Sequence, residues 1–491
     1  MVRTGLAPVV NVGSAEAGAV VSREFMANVP VGRSFQAIAQ TVPSASGDSY
    51  GVGFSGGQSP ENGYIVDGLN ITDPVYGAAP GTFSGRSAPT LLSNFIEEVD
   101  VKTGSFLPEY GRSTGGIINV VTKGGSNEFH GSVFSNLRAD SLATPDGKVI
   151  GNDGEAVGYY PKPSEGTYNL DFGAEIGGPI LKDKLWFYAG FAPIMQKTYY
   201  DRFQRLNVTS ADQPGCSTSG VFDSAGTPDP RCRDANGFAV YNKVPGSDTI
   251  QSTGQTSYQW AGKLSYLIDQ NNTVSVSTYG QPSTQTTHRF VALQNPNADF
   301  DQAIDSYDVI GHYIGKFLDK RLVVGVDAGY HGQNIVNEPT AYQSGTPAVV
   351  WSDPNSYYGL TAFETVGGAG CTDLFHCPVR GYVTGGGGIT VDSKISRLAG
   401  KGAVSYLFSA AGSHNAKIGI DLERNDYDQT KRYGGGYFFT SRNGQFRAVR
   451  GYGYLTGGNP TTNPADVNPT GTLQSDSYSN SNSYFPRTAG R

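Results

Sequence analysis

Four cysteines are the most reactive side chains in this 491-residue chain, and they fall in two close pairs, Cys216/Cys232 and Cys371/Cys377. An even number in loop-like sequence suits disulfides formed in an oxidising compartment. Four free thiols are the alternative. A zinc site is disfavoured, because neither pair has tight CxxC spacing and only His376 is close. The six histidines are dispersed, with no HExxH and no paired spacing, so a catalytic zinc has no support. Gly51-Val-Gly-Phe-Ser-Gly56 matches GxGxxG, but Gln58-Ser-Pro60 follows it where a dinucleotide site needs an amphipathic helix. Gly53–Gly57 and Gly111–Gly115 both match GxSxG. A nucleophile elbow needs strand, sharp turn and helix, and a strand-like run follows Gly115. Asn152-Asp-Gly-Glu155 could ligate calcium, but a solvated turn explains it as well. No catalytic residue, cofactor site or metal site emerges, and the expectation is a protein that is not an enzyme.

The elements around these residues point elsewhere. The chain holds 67 Gly, 29 Tyr and 24 Phe, with charged residues at 16%. This composition favours strands and turns. A formal net charge of -7 and a pI near 5.4 argue against nucleic acid as a partner. The mean hydropathy is -0.33 and no run is long and apolar enough for a transmembrane helix. That is a poor test for membrane barrels, whose strands turn one face to a polar lumen. Met1–Val10 has neither the charged start nor the apolar stretch of a signal peptide, so an exported protein's leader would have to lie outside this sequence.

From about residue 129 the apolar residues recur with period two. Tyr168, Leu170, Phe172, Ala174 and Ile176 alternate with Asn169, Asp171, Gly173 and Glu175. A weaker run, Leu185, Phe187, Ala189 and Phe191, follows the short turn Leu181–Lys184. The unit recurs around Asp269–Asn272, Leu318–Arg321 and Ala410–His414, and a lone strand at Phe129, Val133 and Leu137 precedes all of these hairpins. The connections between hairpins are long, at about 139–167, 203–255, 281–304 and 336–393. Short turns alternating strictly with long loops is the pattern of outer-membrane barrels, with the long loops outside the cell. Both cysteine pairs fall in long loops. Trp186, Tyr188, Trp260 and Tyr266 are candidates for interfacial girdles, and Tyr357 and Tyr358 are loop aromatics that could stack on a ligand. After about Asp428 no clear membrane strand is visible, and the tail reads as another outward loop.

The first 128 residues differ, with short apolar segments between Gly- and Ser-rich turns, and they read as a small α+β domain. Ser93–Glu98 reads as a helical turn before a strand at Val99 and Val101. Several stretches here resemble the plug of TonB-dependent outer-membrane receptors: Val29–Arg33, Ser59-Pro-Glu-Asn-Gly-Tyr-Ile-Val-Asp-Gly-Leu-Asn70, Glu97–Gly104, and above all Glu109-Tyr-Gly-Arg-Ser-Thr-Gly-Gly-Ile-Ile-Asn-Val-Val-Thr-Lys123. Gly173–Phe187 is similar to the first hairpin of the Oar-like branch. The resemblance implies a leader or linker remnant at 1–17, a plug at 18–128 and a partial barrel at 129–491, with about nine of the roughly 22 strands of such transporters. It also implies outer-membrane lipid, an inner-membrane TonB complex and an extracellular ligand as partners. No TonB box is recognisable before residue 18, and Arg491 is not the aromatic expected at a barrel's end. The implied function is ligand uptake gated by the plug. The alternatives are an adhesion or protein-export membrane protein of the same architecture, and a secreted all-β carbohydrate-binding protein.

Overall fold

The computed structural model describes residues 17–142 (without 31, 78, 80–90 and 108), 166–287 (without 203–204, 219–228, 236–238, 244 and 247–248), 300–339, 348–351, 382–385, 389–433, 438–442, 445–456 and 472–480. Cys371, Cys377, Tyr357, Tyr358 and Asn152–Glu155 lie outside the described residues.

The N-terminal part is a mixed sheet with two short helices. Strand β1 (Ala17–Ser22) runs into helix α1 (Arg23–Asn28), and α2 (Phe35–Ala39) follows. Each helix starts at a serine whose hydroxyl accepts an N–H of the first turn: Ser22 from Phe25, and Ser34 from Ala37 at 3.2 Å. Strands β2 (Ala45–Asp48) and β3 (Gly51–Phe54) form a hairpin, so the GxGxxG match sits on a strand and its turn. Strands β4 (Gly63–Val66), β5 (Leu69–Asn70), β6 (Ile96–Gly104) and β7 (Ile117–Thr122) complete a five-stranded sheet in the order β1-β6-β7-β4-β5. The turn expected at Ser93–Glu98 is a 3-10 turn over Ser93–Phe95, and β6 starts at Ile96.

Two motifs interlock here. Asn62 Nδ2 donates to the Val52 carbonyl, and Asn62 Oδ1 accepts the Gly116 N–H at 2.7 Å. A Cβ on Gly116 would lie 2.4 Å from the Phe54 ring, which is why glycine stands there. The core of this domain holds Phe35, Ile38, Val52, Phe54, Tyr64, Phe95, Ile96 and Ile118, all buried.

The second sheet is an antiparallel meander. Its strands are β8 (His130–Ala139), β9 (Tyr168–Leu181), β10 (Leu185–Arg202), β15 (Thr249–Asp269), β16 (Asn272–Gly280), β18 (Phe300–Phe317), β19 (Leu322–Pro339), β22 (Ile389–Ser409) and β23 (Ser413–Tyr433). They pair in sequence order, with β8 and β23 as the edges among the described residues. The four tight turns all lie at one end. Three of them contain non-glycine residues at positive φ, such as Asp183 (61°), Asp319 (54°) and Ala411 (52°).

Burial is inverted along these strands. Phe172, Ile176, Leu264, Val309, Val326, Leu398 and Ile420 face outward and are exposed, while Asp171, Glu175, Gln259, Asp308, His331 and Arg397 face inward and are buried. Period two puts them on opposite faces, and only an apolar surround makes the outward face favourable. Outward rings lie over glycines of the neighbouring strand: Trp260 covers Gly280, and Tyr307 covers Gly332. The 21 residues of β15, β22 and β23 exceed the roughly 9–11 needed to cross a bilayer, so these strands project beyond it at the loop end.

Several readings of the sequence are corrected. Trp186 and Tyr188 are not girdle residues. Their parity on β10 turns them inward, and Tyr188 is 3% exposed with its hydroxyl on Glu175 at 2.6 Å. The stretch 281–304 is not all loop. Strand β17 (Ser283–Thr287) continues β16 past Gln281–Pro282 in unchanged register against β15 and β18. Pro282 lacks the N–H that would bridge the gap. Strands β15 and β22 also begin earlier than the apolar alternation does, because their outer ends need only a pairing partner and no lipid-facing face.

The connection 203–255 is not bare loop either. It holds strands β11 (Arg205–Asn207), β12 (Ser217–Thr218), β13 (Cys232–Arg233) and β14 (Tyr241–Lys243) in two small hairpin-like sheets. Cys216 and Cys232 are disulfide-bonded there, with their Cα atoms 5.5 Å apart. The connection 336–393 and the tail after Asp428 likewise carry strands. β20 (Ala348–Trp351), β21 (Tyr382–Gly385), β24 (Phe438–Arg442), β25 (Gln445–Thr456) and β26 (Thr472–Asn480) make a separate sheet in the order β21-β20-β24-β25-β26.

The segment joining the two main sheets is packed tightly. A Cβ on Gly125 would lie 2.3 Å from the Phe187 carbonyl oxygen and 2.8 Å from its nitrogen. Backbone on this side cannot yield, so Gly125→Ala is expected to lift the joining segment off β9 and β10, at a cost of about 1–3 kcal/mol. Limited trypsin cleavage after Lys123 should then speed up. Unchanged cleavage would show that the strands move instead.

Candidate functional site at the plug–barrel interface

The N-terminal domain sits against the inward face of the meander. The polar contacts fall in two groups on different strands, and between them Leu69 rests on Gly329 of β19.

The first group faces β8, β9, β10 and β15. Lys123, just past the end of β7, reaches Glu175 on β9 with Nζ 2.7 and 2.9 Å from the two carboxylate oxygens. The same carboxylate accepts from the Tyr188 hydroxyl at 2.6 Å and from Ser132 at 3.0 Å. The Lys123 and Glu175 side chains are only 6% and 4% exposed. Burial pushes the Lys123 ammonium below its ordinary pKa, and Glu175 opposes that shift.

Arg33, following the α1 end, pairs with Asp171 at 2.7 Å and lies over the Phe134 ring. Burial lowers its pKa as well, against the pull of Asp171. Asp67 adopts φ 46° at the β4–β5 turn. That aims its carboxylate at the Thr122 N–H (2.9 Å) and at Lys263 on β15 (3.3 Å). Leu92 N donates to Gln259 at 2.9 Å. Apolar packing runs without a break from Phe95 and Val66 to Tyr188, Ala192, Ala261 and Tyr279.

The second group faces β22 and β23. Glu109 pairs with Lys417, and Arg112 with Glu423. Asn70 Nδ2 donates to Glu423 at 3.0 Å, and Arg397 donates to the Asn70 carbonyl at 2.6 Å. Tyr110 is flanked by the ammonium groups of Lys102 and Lys401 at 5.5 and 5.7 Å from its ring centre. Here Arg112 is 63% exposed and Lys417 42%. A cavity of about 860 Å³ lies between this side of the domain and the β19, β22 and β23 wall.

None of this is catalytic geometry. The interface is a set of fastenings between two bodies. Lys123, Asp67, Asp171, Glu175, Lys263, Arg397 and Glu423 were not singled out by sequence, since each occupies an ordinary polar position of a strand or turn. One signal was present. An ionisable residue at inward parity within a membrane-spanning run marks an internal partner, and Glu175, Lys263 and Arg397 all meet that condition.

The family model of an outer membrane beta barrel domain matches residues 121–485. The TonB-dependent transporter Oar of Myxococcus xanthus is 35% identical over 502 residues, covering 92% of this chain and 44% of that protein. The chain belongs to the TonB-dependent outer-membrane receptors, in the Oar-like branch.

Among solved structures, the outer membrane transporter YddB of Escherichia coli superposes with a TM-score of 0.52 at 11% identity, over 88% of this chain and 56% of that one. That shows a shared fold. The ferric enterobactin receptor PfeA of Pseudomonas aeruginosa gives a TM-score of 0.42 at 12% identity, over 88% of this chain and 60% of that one. The receptor chain spans less than half the length of the curated relative it matches. Its fold is a plug against a transmembrane antiparallel barrel wall, and its place is the outer membrane of a Gram-negative bacterium.

Proposed function

We propose that this chain is the plug and adjoining barrel wall of a receptor that binds an extracellular ligand and admits it to the periplasm. An inner-membrane TonB complex moves the plug to open the way. The observation that carries the reading is how the plug is held. It is fastened to the wall by ion pairs and hydrogen bonds, with a cavity lined by residues of both. Such contacts can be exchanged and remade. The relative Oar is named as a TonB-dependent transporter, which supports the same reading. No bond-making chemistry is assigned to the chain.

The test compares depletion of growth-medium solutes by cells that lack the receptor's complete gene, cells that lack the TonB complex, and the parent. Uptake predicts a solute that both mutants leave in the medium. Surface adhesion or protein export predicts loss of attachment or of a secreted protein on deleting the receptor, with no matching solute. Either result sinks the uptake reading, as does recovery of the receptor in the soluble periplasm.

A further inference from the structure

The register of the meander lines up one kind of side chain across its strands. Asn169 of β9 stands opposite Gln196 of β10, and Gln196 opposite Gln255 of β15. Gln255 stands opposite Gln285 of β17, Gln285 opposite Gln302 of β18, and Gln302 opposite Asn337 of β19. Neighbouring strands from β9 to β19 thus place a carboxamide in a single cross-strand row. The row is bounded by Arg138 on β8 and Val391 on β22. Strand formation does not ask for this, since Asn is depleted in strands. The outward row beside it, Met195, Thr256, Thr284, Ala303 and Val336, shows no such uniformity.

Two inward tiers lie between the amide row and the Asp308–His331 pair. The nearer holds Ile194, Ser257, Ser283, Ile304 and Ile335. The farther holds Gln259, Gln281, Ser306 and Gln333, and the plug engages it, with the Leu92 N–H on Gln259 at 2.9 Å. From that tier up to the amide row, the inward positions of β10, β15, β17, β18 and β19 carry no charge. Gln302 is 5% exposed, and its Oε1 has no hydrogen-bond partner among the described residues. Nε2 of the buried Gln333 has none either. Buried amide atoms left unpaired are costly, and a ligand that pairs with them recovers that cost.

A carboxamide both donates and accepts, and it bears no charge. The row therefore suits a neutral ligand with donors and acceptors along its length. Adjacent strands lie about 4.8 Å apart, close to the length of one pyranose unit. An extended peptide turns like groups to one side at every second residue, about 6.8 Å apart, and so falls out of step with the row. We propose that the amide row binds a neutral oligosaccharide, laid across the strands with its hydroxyls on the carboxamides. Ile304 and Ile335 in the tier beneath offer an apolar surface to the C–H faces of the sugar rings. This names the ligand class of the uptake reading above and rests on that reading.

The test is isothermal titration calorimetry on the receptor expressed from its complete gene and held in lipid nanodiscs. The probes are cellohexaose, maltohexaose and mannohexaose, the matching trisaccharides, a capped Gly-Ser repeat peptide and ferric citrate. At least one hexasaccharide is expected to bind, at least about tenfold more tightly than its trisaccharide. Gln255→Leu with Gln285→Leu should weaken it by at least about tenfold. Thr256→Val with Thr284→Val, on the opposite face of the same strands, should change it less than about twofold. The thermal midpoint reports each variant's folding. If the glutamine double variant does not fold, Gln196→Ala at an exposed position is read instead, with at least about threefold weakening expected. Binding of the peptide or ferric citrate alone, binding of no sugar, or equal loss in both double variants overturns the oligosaccharide assignment and leaves uptake standing. A sugar that binds but is depleted equally by cells lacking the TonB complex overturns uptake and leaves the site.

Discussion

Replacing Lys123 by methionine will loosen the plug by about 3 kcal/mol or more, because the Glu175 carboxylate is left charged and buried without its counter-ion. Glu175 keeps only the Tyr188 and Ser132 hydroxyls. These donate hydrogen bonds to the carboxylate but cannot neutralise its charge. The double variant Lys123→Met with Glu175→Met should recover most of the loss, since the pair removed together leaves no orphaned charge. Hydrogen exchange of the β7 amides in vesicles, followed against urea, reads the difference. By contrast, Arg112→Ala should shift the same midpoint by under about 1 kcal/mol, because its guanidinium is 63% exposed and the buried Glu423 keeps Arg397 and Asn70 beside it. If Arg112→Ala cost more than Lys123→Met, burial of the cation would not be what sets the strength of these contacts.

Phe95→Ala is expected to cost about 3–5 kcal/mol, the largest loss from a single apolar residue here. Phe95 is fully buried, and its ring meets the Phe134 ring edge-on at 6.4 Å between centres. It also fills the space over Gly190 of β10, where a Cβ would lie 2.5 Å from the ring. The truncation therefore empties a volume that plug and wall share, and neither body can close it alone. The pair is open to a cycle of variants. Gly190→Ala alone should destabilise by overpacking, and Gly190→Ala with Phe95→Leu should cost less than the sum of the two. Strict additivity in urea titrations would show that the ring does not rest on Gly190.

The plug motif and the wall differ in how far their sequence foretold them. Glu109–Lys123 was legible as a closing segment because its glycines are enforced locally: Gly116 lies under Phe54 and its N–H bonds to Asn62. The Ser59–Asn70 stretch was legible for the same reason, being the other half of that lock. The direction in which Glu109 and Arg112 point was not. Their partners Lys417 and Glu423 lie 308 and 311 positions away. Nothing near them in the chain records that distance. Strand β17 escaped notice because it is polar on both faces beyond the lipid, and the strands after Asp428 because they pair with one another and with β20 outside the membrane sheet.

Sequence alone determined the period-two strands, the parity that sends their apolar face outward, the positions of the tight turns and the separation of plug from wall. These follow from short-range rules, where each residue's face is fixed by its neighbours one or two places away. Only the tertiary structure decided which inward charges meet. Asp171 and Glu175 alternate with Phe172 and Ala174 as any lumen-facing polar residues would, and they acquire Arg33 and Lys123 only when the sheet curls around the plug. The cysteine pair Cys216/Cys232, two close thiols in sequence, likewise became a disulfide through the fold of its own loop. Pairing across tens or hundreds of residues is set by where closure brings two surfaces together, and that closure is a property of the whole sheet and of no local segment of it.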